Sequence, residues 1–107
     1  MRKKMVFSMS KQMSMSDFYE NIFPSNPPIV DVREAPEFNS GHIPGSINIP
    51  IRDIVTYLGR IDSEQTYYFV AHTDHRSQVV TAFLASQEFD VVELVGGIKA
   101  WPGQLEQ

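Results

Sequence analysis

Short runs of β-branched and aromatic residues alternate along the chain with segments whose apolar residues recur at helical spacing. Residues 66–70 (Thr-Tyr-Tyr-Phe-Val) show no polar alternation, which is typical of a strand covered on both faces. The apolar residues that follow recur at helical intervals and predict a helix from about Arg76 to Gln87. A strand, a loop and a helix therefore follow one another here.

The remaining apolar runs extend this alternation over most of the chain. Strands are predicted at residues 29–32, 46–49 and 91–95. Helical segments are predicted at 14–23, 35–39, 51–58 and 98–101, the first of them capped by Ser14 or Ser16. The alternation indicates an α/β fold with a small, mostly parallel sheet flanked by helices on both faces.

Composition limits the classes of protein that fit this pattern. The 107 residues suit one domain, which we expect at residues 11–107, with residues 1–10 loosely ordered. The net charge of −4 disfavours nucleic acid as a partner. No apolar run is long enough for a membrane span or a signal peptide, so we expect a cytoplasmic protein that contacts no membrane. The absence of cysteine excludes disulfides and thiolate chemistry.

The loop between the strand at 66–70 and the next helix is the candidate site. In α/β sheets, ligands bind beyond the carboxyl ends of the strands. A loop that opens a helix there directs backbone N–H groups at a common centre and forms an anion cradle. Its residues are Ala71, His72, Thr73, Asp74, His75, Arg76 and Ser77.

Three motifs in register give the chain a family resemblance. Residues 29–50 contain Asp-Val-Arg, then Glu-Phe, then Gly-His-Ile-Pro-Gly. Residues 71–77 are similar to Cys-x-x-Gly-x-Arg-Ser, and residues 95–101 contain Gly-Gly-x-x-x-Trp. Together they resemble rhodanese-like domains over roughly residues 12–103.

The resemblance implies sulfurtransferase chemistry at a cysteine whose position is occupied here by Ala71. In active members a thiolate accepts sulfane sulfur and passes it on as a persulfide. A methyl group can do neither, and the hydroxyls of Thr73 and Ser77 are poor sulfur carriers without an evident base. The six residues from Ala71 to Arg76 resemble the sulfurtransferase loop, since the related dual-specificity phosphatases use one residue more.

The residues of these motifs also have structural interpretations, and the resemblance implies a bracing role for the pair Asp31 and Arg33. Asp31 and Arg33 end a buried strand, and we expect them to brace the neighbouring loops. We expect His42 to hold a turn through hydrogen bonds rather than to carry protons. Gly97 suits a tight turn, and Trp101 suits core packing.

The charges of the loop leave its ligand open. Asp74, where the family usually has glycine, repels anions, whereas Arg76 and the partly charged His72 and His75 attract them. Arg76 either binds an anion or pairs with Asp74 or Glu34. The histidines and Asp74 also suit zinc, but a tight loop rarely aims three adjacent side chains at one point, so we expect no metal and no cofactor.

Three functional hypotheses follow. The first is a domain without catalytic residues that binds a small anion or a protein partner at residues 71–77. The second is a member of a sulfurtransferase system, in which Ala71 is an introduced substitution or the domain acts with a partner's cysteine. The third is a metal-dependent activity of the histidines. The oligomeric state is left open.

Overall fold

Five parallel strands form a single sheet at the centre of the molecule. The computed structural model describes residues 11–72 and 74–107, without the side chains of residues 74–76. The strands are β1 (Lys11–Ser14), β2 (Ile29–Asp31), β3 (Ile47–Asn48), β4 (Thr66–Val70) and β5 (Asp90–Val95). Their order across the sheet is β1-β5-β4-β2-β3, and every described pairing is parallel. The predicted α/β class with a mostly parallel sheet is confirmed.

Helices and helical turns connect the strands. The α-helices are α1 (Met15–Asp17), α2 (Ala35–Ser40) and α3 (Asp74–Ser86). A π-helical turn (Phe18–Ile22) and a 3₁₀ turn (Phe23–Ser25) follow α1, and further 3₁₀ turns lie at Ile51–Asp53, Val55–Arg60 and Gly97–Ala100.

Three segments predicted as helices adopt other helical geometries, one of them being the segment predicted at 98–101, which is the 3₁₀ turn Gly97–Ala100. The segment from Ser14 to Phe23 starts as predicted, because the Ser14 hydroxyl accepts a hydrogen bond from the Asp17 amide at 3.1 Å, but it keeps α geometry for only three residues. The segment predicted at 51–58 consists of two 3₁₀ turns. Val55 and Thr56 are β-branched and disfavour a regular α-helix there.

Apolar side chains fill both faces of the sheet. On one face, Phe69 and Val91 pack with Val80 and Leu84 of α3. On the other face, Leu94 packs with residues of the N-terminal helical turns and of the Gly97–Ala100 turn. The predicted strand at 66–70 is fully buried only at its last two residues, Phe69 and Val70.

The edge strand β1 is absent from the sequence-based prediction. It pairs with β5, with Lys11 opposite Val92 and Ser14 opposite Val95. Its sequence, Lys-Gln-Met-Ser, contains no β-branched or aromatic residue, so the strand is defined by pairing with β5 rather than by propensity. The loose order expected for residues 1–10 concerns a segment outside the described residues.

Within the described part of the chain, no helix has both the length and the apolar character needed to cross a bilayer.

Candidate functional site

The candidate loop lies at the carboxyl edge of the sheet, where β2 and β4 end side by side. Asp31 is opposite Val70 in the register, and the Val32 amide donates to the Val70 carbonyl at 3.0 Å. Helix α3 begins at Asp74, three residues after Ala71. The start of a helix directs backbone N–H groups outward, and in α3 it does so at this edge of the sheet.

Ala71, at the position where the resemblance places the nucleophile, is completely buried. It belongs to the core cluster that includes Phe69 and Val80. Its carbonyl accepts a hydrogen bond from the Ile98 amide at 2.7 Å. The side chain at this position is therefore a buried methyl group, which offers a ligand neither a hydrogen bond nor a charge.

Gly97, the second glycine of the Gly96-Gly97 pair, packs directly against the backbone of the loop. Gly97 has a φ of +65°, and a Cβ atom placed on it would lie 2.4 Å from the Ala71 carbonyl oxygen and 2.8 Å from that of His72. Both the left-handed conformation and the close approach require glycine. The Gly-Gly motif in residues 95–101 therefore positions the candidate loop at residues 71–77.

A buried polar cluster lies beneath the first turns of α3. The Ser77 hydroxyl donates to Glu93 Oε2 at 3.4 Å, and Gln12 Nε2 donates to Glu93 Oε1 at 2.9 Å. Ser77 and Glu93 have no exposed surface. Glu93 thus connects the edge strand β1, the strand β5 and the start of α3. Sequence reasoning missed Glu93, although a carboxylate inside the apolar run 91–95 was the available signal.

Asp31 and Arg33 form a buried ion pair at the end of β2. Arg33 Nη2 lies 2.8 Å from Asp31 Oδ2, and Arg33 Nε lies 3.0 Å from Asp31 Oδ1. Nη2 also donates to the Gly41 carbonyl at 2.7 Å. Asn48 Nδ2 donates to the Asp31 and Arg33 carbonyls at 3.0 and 2.9 Å. The pair thus connects the end of β2 to the turn at Gly41 and to β3.

His42, which follows Gly41, is held in place by a hydrogen bond and by ring stacking. Its Nδ1 donates to the Phe38 carbonyl at 2.9 Å, and its ring stacks on that of Phe38 with centroids 3.8 Å apart. Its Nε2 lies 3.9 Å from Glu106 Oε1. Nδ1 therefore contacts a residue of α2, and Nε2 lies near the carboxylate of Glu106.

Glu34, a suggested partner of Arg76, pairs with Arg52. The hydrogen bond to Glu34, and then the carboxylate's charge, raise the pKa of the Arg52 guanidinium. This pair is exposed, and such pairs contribute little to stability. The side chains of Thr73, Asp74, His75 and Arg76 lie outside the description. Elsewhere in the described residues, no three histidine, aspartate or glutamate side chains lie close enough to hold a metal ion.

Comparison with known proteins defines the family. The model of the rhodanese-like domain family matches residues 14–104. The chain is 30% identical over 92 residues to the thiosulfate sulfurtransferase GlpE of Shewanella oneidensis, which covers 85% of this chain and 91% of that protein. The crystal structure of a rhodanese-like domain protein from Staphylococcus aureus matches with a TM-score of 0.82 and 32% identity, over 90% of this chain and 96% of that one. The chain belongs to the rhodanese-like domain family, as its motifs predicted.

The same domain also occurs within a longer relative. The chain is 30% identical over 79 residues to the putative sulfur carrier protein YrkF of Bacillus subtilis. This match covers 73% of the chain but only 43% of YrkF.

Proposed function

We propose that this rhodanese-like domain binds a small anion, or an anionic group of a protein partner, at residues 71–77 and transfers no sulfur through its own side chains. The observation that carries the proposal is Ala71, a buried methyl group at the nucleophile position of a chain without cysteine. No side chain of this chain can form the cysteine persulfide that the family mechanism requires.

The backbone around Ala71 supports a binding role. The carboxyl ends of β2 and β4 lie together, and the Ala71 carbonyl is fixed by the Ile98 amide. Helix α3 begins three residues later, with its positive end at the same edge of the sheet. These features hold the donors in place without any contribution from a nucleophile.

Inorganic thiosulfate and sulfate are suitable probes of this site. Backbone amide shifts recorded by NMR during titration should change mainly in residues 72–77, with saturation in the millimolar range or below. Shifts spread over the surface, or none in this segment, would contradict anion binding at the loop.

The variant Ala71→Cys separates the scaffold from its missing nucleophile. The unaltered chain should show no transfer of sulfur from thiosulfate to cyanide, whereas Ala71→Cys should gain measurable transfer. Ala82→Cys, which places a thiol at an exposed position of α3, is the matched control and should stay inactive. Turnover by the unaltered chain would overturn the proposal.

A second candidate is a role in sulfur transfer together with a thiol from another molecule. The six-residue loop and the names of the relatives support it. In this reaction a free thiolate takes the sulfane sulfur of bound thiosulfate, forming a persulfide and releasing sulfite. Faster release of sulfite from thiosulfate and glutathione in the presence of the chain would support this candidate, and a rate equal to the uncatalysed one would exclude it for this pair of substrates.

A further inference from the structure

A pocket separate from the candidate loop lies at the β3 edge of the sheet. It has a volume of about 210 Å³, and we call it the β3 pocket. Val30, Ile47 and Tyr67 line it from the strands, and Tyr57 and Arg60 line it from the second 3₁₀ turn after β3. None of the described residues of the candidate loop belongs to its lining.

The pocket lies on the face of the sheet that α3 covers. Val30 is opposite Ile47 in β3 and opposite Phe69 in β4, and Phe69 packs under α3. Tyr67 precedes Phe69 by two residues, and alternate residues of a strand face the same side. Tyr67 is about 13 Å along the strand from Ala71, at roughly 3.3 Å per residue, so the β3 pocket and the candidate loop are different sites.

The walls of the β3 pocket are aliphatic. Val30, Ile49 and Ile61 are buried, whereas Ile47 is 58% exposed. A ligand with an apolar body would cover the exposed part of Ile47 and remove it from water, which stabilises the complex.

Arg60 is the one charged side chain among the described residues that line the pocket. Its guanidinium carbon lies 5.3 Å from the centre of the Tyr57 ring, a contact that favours this position of the cation. In the described part of the chain, no acidic side chain forms an ion pair with Arg60. The carboxylate of the neighbouring Asp62 instead accepts a hydrogen bond from the Glu64 amide at 2.9 Å. The guanidinium therefore has donors available to an anion.

The Tyr67 hydroxyl provides a further donor near Arg60. It accepts a hydrogen bond from the amide of Asp62 at 3.0 Å, and Asp62 is two residues beyond Arg60. A phenolic hydroxyl that accepts one hydrogen bond still has its own proton to donate. One cation and one neutral donor therefore lie at the border of an aliphatic pocket.

We infer that the β3 pocket binds a small carboxylate, with its apolar body against the aliphatic walls and its carboxylate on Arg60 and the Tyr67 hydroxyl. A guanidinium matches a planar carboxylate because it offers two parallel N–H donors. The pocket volume equals that of about seven water molecules at roughly 30 Å³ each, which limits the ligand to about ten non-hydrogen atoms. The inference does not depend on what the candidate loop binds.

Benzoate is the probe for this site, with benzamide as its uncharged analogue and acetate as the carboxylate without the apolar body. In a titration followed by NMR, benzoate should shift the backbone amides of residues 60–62 and of Tyr67. The shifts should saturate with a dissociation constant in the range of about 0.1–10 mM, as expected for so small a ligand. Benzamide and acetate should each bind at least tenfold more weakly, because each lacks one of the two recognised parts.

Substitutions test the two polar contacts. Arg60→Gln should weaken the binding of benzoate at least tenfold and leave that of benzamide unchanged, because it removes the charge alone. Tyr67→Phe should weaken benzoate binding by about three- to tenfold, through the loss of one hydrogen bond. Arg52→Gln is the matched control, since Arg52 is exposed, pairs with Glu34 and lies outside the pocket lining, and it should leave the affinity for benzoate unchanged.

A titration in excess sulfate separates this site from the candidate loop. Benzoate should bind with the same affinity in sulfate as in sodium chloride of equal ionic strength, because sulfate lacks the apolar body that the β3 pocket recognises. The inference fails if sulfate displaces benzoate, if the shifts are confined to residues 72–77, or if no saturation occurs. It also fails if benzamide binds as tightly as benzoate, or if Arg60→Gln binds benzoate as tightly as the unaltered chain. Unchanged amide spectra away from the pocket verify that each variant is folded.

Discussion

At the scale of single residues, Gly97 controls the geometry of the candidate loop. The residue lies in the left-handed region, and its Cα faces the carbonyl oxygens of Ala71 and His72. The loop can therefore adopt its path only while position 97 lacks a side chain.

Gly97→Ala should lower the free energy of unfolding by at least about 3 kcal/mol, since the methyl group combines a strained backbone with a backbone clash. Gly59→Ala is the matched control, because a Cβ there meets nothing within 4 Å. It should change stability by less than about 1 kcal/mol, in the stabilising direction. Urea denaturation measures both, and equal effects of the two substitutions would contradict the role assigned to Gly97.

The sequence motifs indicated which residues surround the candidate loop, but they did not indicate which distant residues form hydrogen bonds with them. Asp31, Arg33 and the loop at 71–77 were located by motif, because short motifs mark where backbone geometry is constrained. Glu93 was missed because its hydrogen-bonding partners, Gln12 and Ser77, lie far from it in the sequence. Contacts of this kind depend on strand order, which hydrophobic periodicity does not encode.

At the scale of elements, apolar strands were predictable and polar or short elements were not. The runs at 29–32, 46–49, 66–70 and 91–95 match β2 to β5 within two residues at each end. Strand β1 was missed because Lys11 and Gln12 resemble a loop when read without β5 beside them. The helical periodicity of residues 51–58 correctly indicated that Ile54 is buried, but it indicated neither the 3₁₀ geometry nor the exposure of Val55.

The segment from Gly103 to Gln107 packs across the turn at Gly41 and His42 and against the rings of Tyr19 and Trp101. His42 and Glu106 exchange backbone hydrogen bonds of 2.9 and 2.8 Å, and Trp101 Nε1 donates to the Gln104 carbonyl at 3.1 Å. The Trp101 ring contacts Tyr19 and Phe23 edge-on, with centroids 4.9 Å apart in each pair.

Removing residues 103–107 should shift the emission of Trp101, the one tryptophan in the sequence, to longer wavelength, because the indole loses its hydrogen bond and part of its cover. We expect a loss of about 2 kcal/mol of stability from the lost hydrogen bonds and apolar contacts. The control Gln107→Ala removes only an exposed hydrogen bond to Ser40 and should change stability by less than about 0.5 kcal/mol. An unchanged emission maximum after the truncation would show that the segment does not cover Trp101.

At the scale of the whole molecule, the two core clusters share one sheet. Phe69 and Val70 are adjacent in β4, yet one belongs to the cluster under α3 and the other to the cluster around Trp101. Disrupting the packing on either face of the sheet therefore destabilises the same strands.

Thermal unfolding should consequently be a single cooperative transition. Trp101 fluorescence reports on one face, and far-ultraviolet circular dichroism, to which α3 contributes, reports on the whole fold. Their midpoints should coincide, as expected for a two-state domain of this size. Midpoints that differ beyond experimental error would mean that the two faces unfold separately.

The pairing of β1 with β5 has a consequence for the synthesis of the chain. Gln12 and Glu93 are 81 residues apart, so β1 leaves the ribosome long before its partner exists. At roughly 5–20 residues per second, β5 is made about 4–16 s later. During that interval the strands already synthesised have unpaired edges, and the sheet is complete only after β5 has been synthesised. During translation, therefore, binding by chaperones should be strongest before residue 95 has emerged.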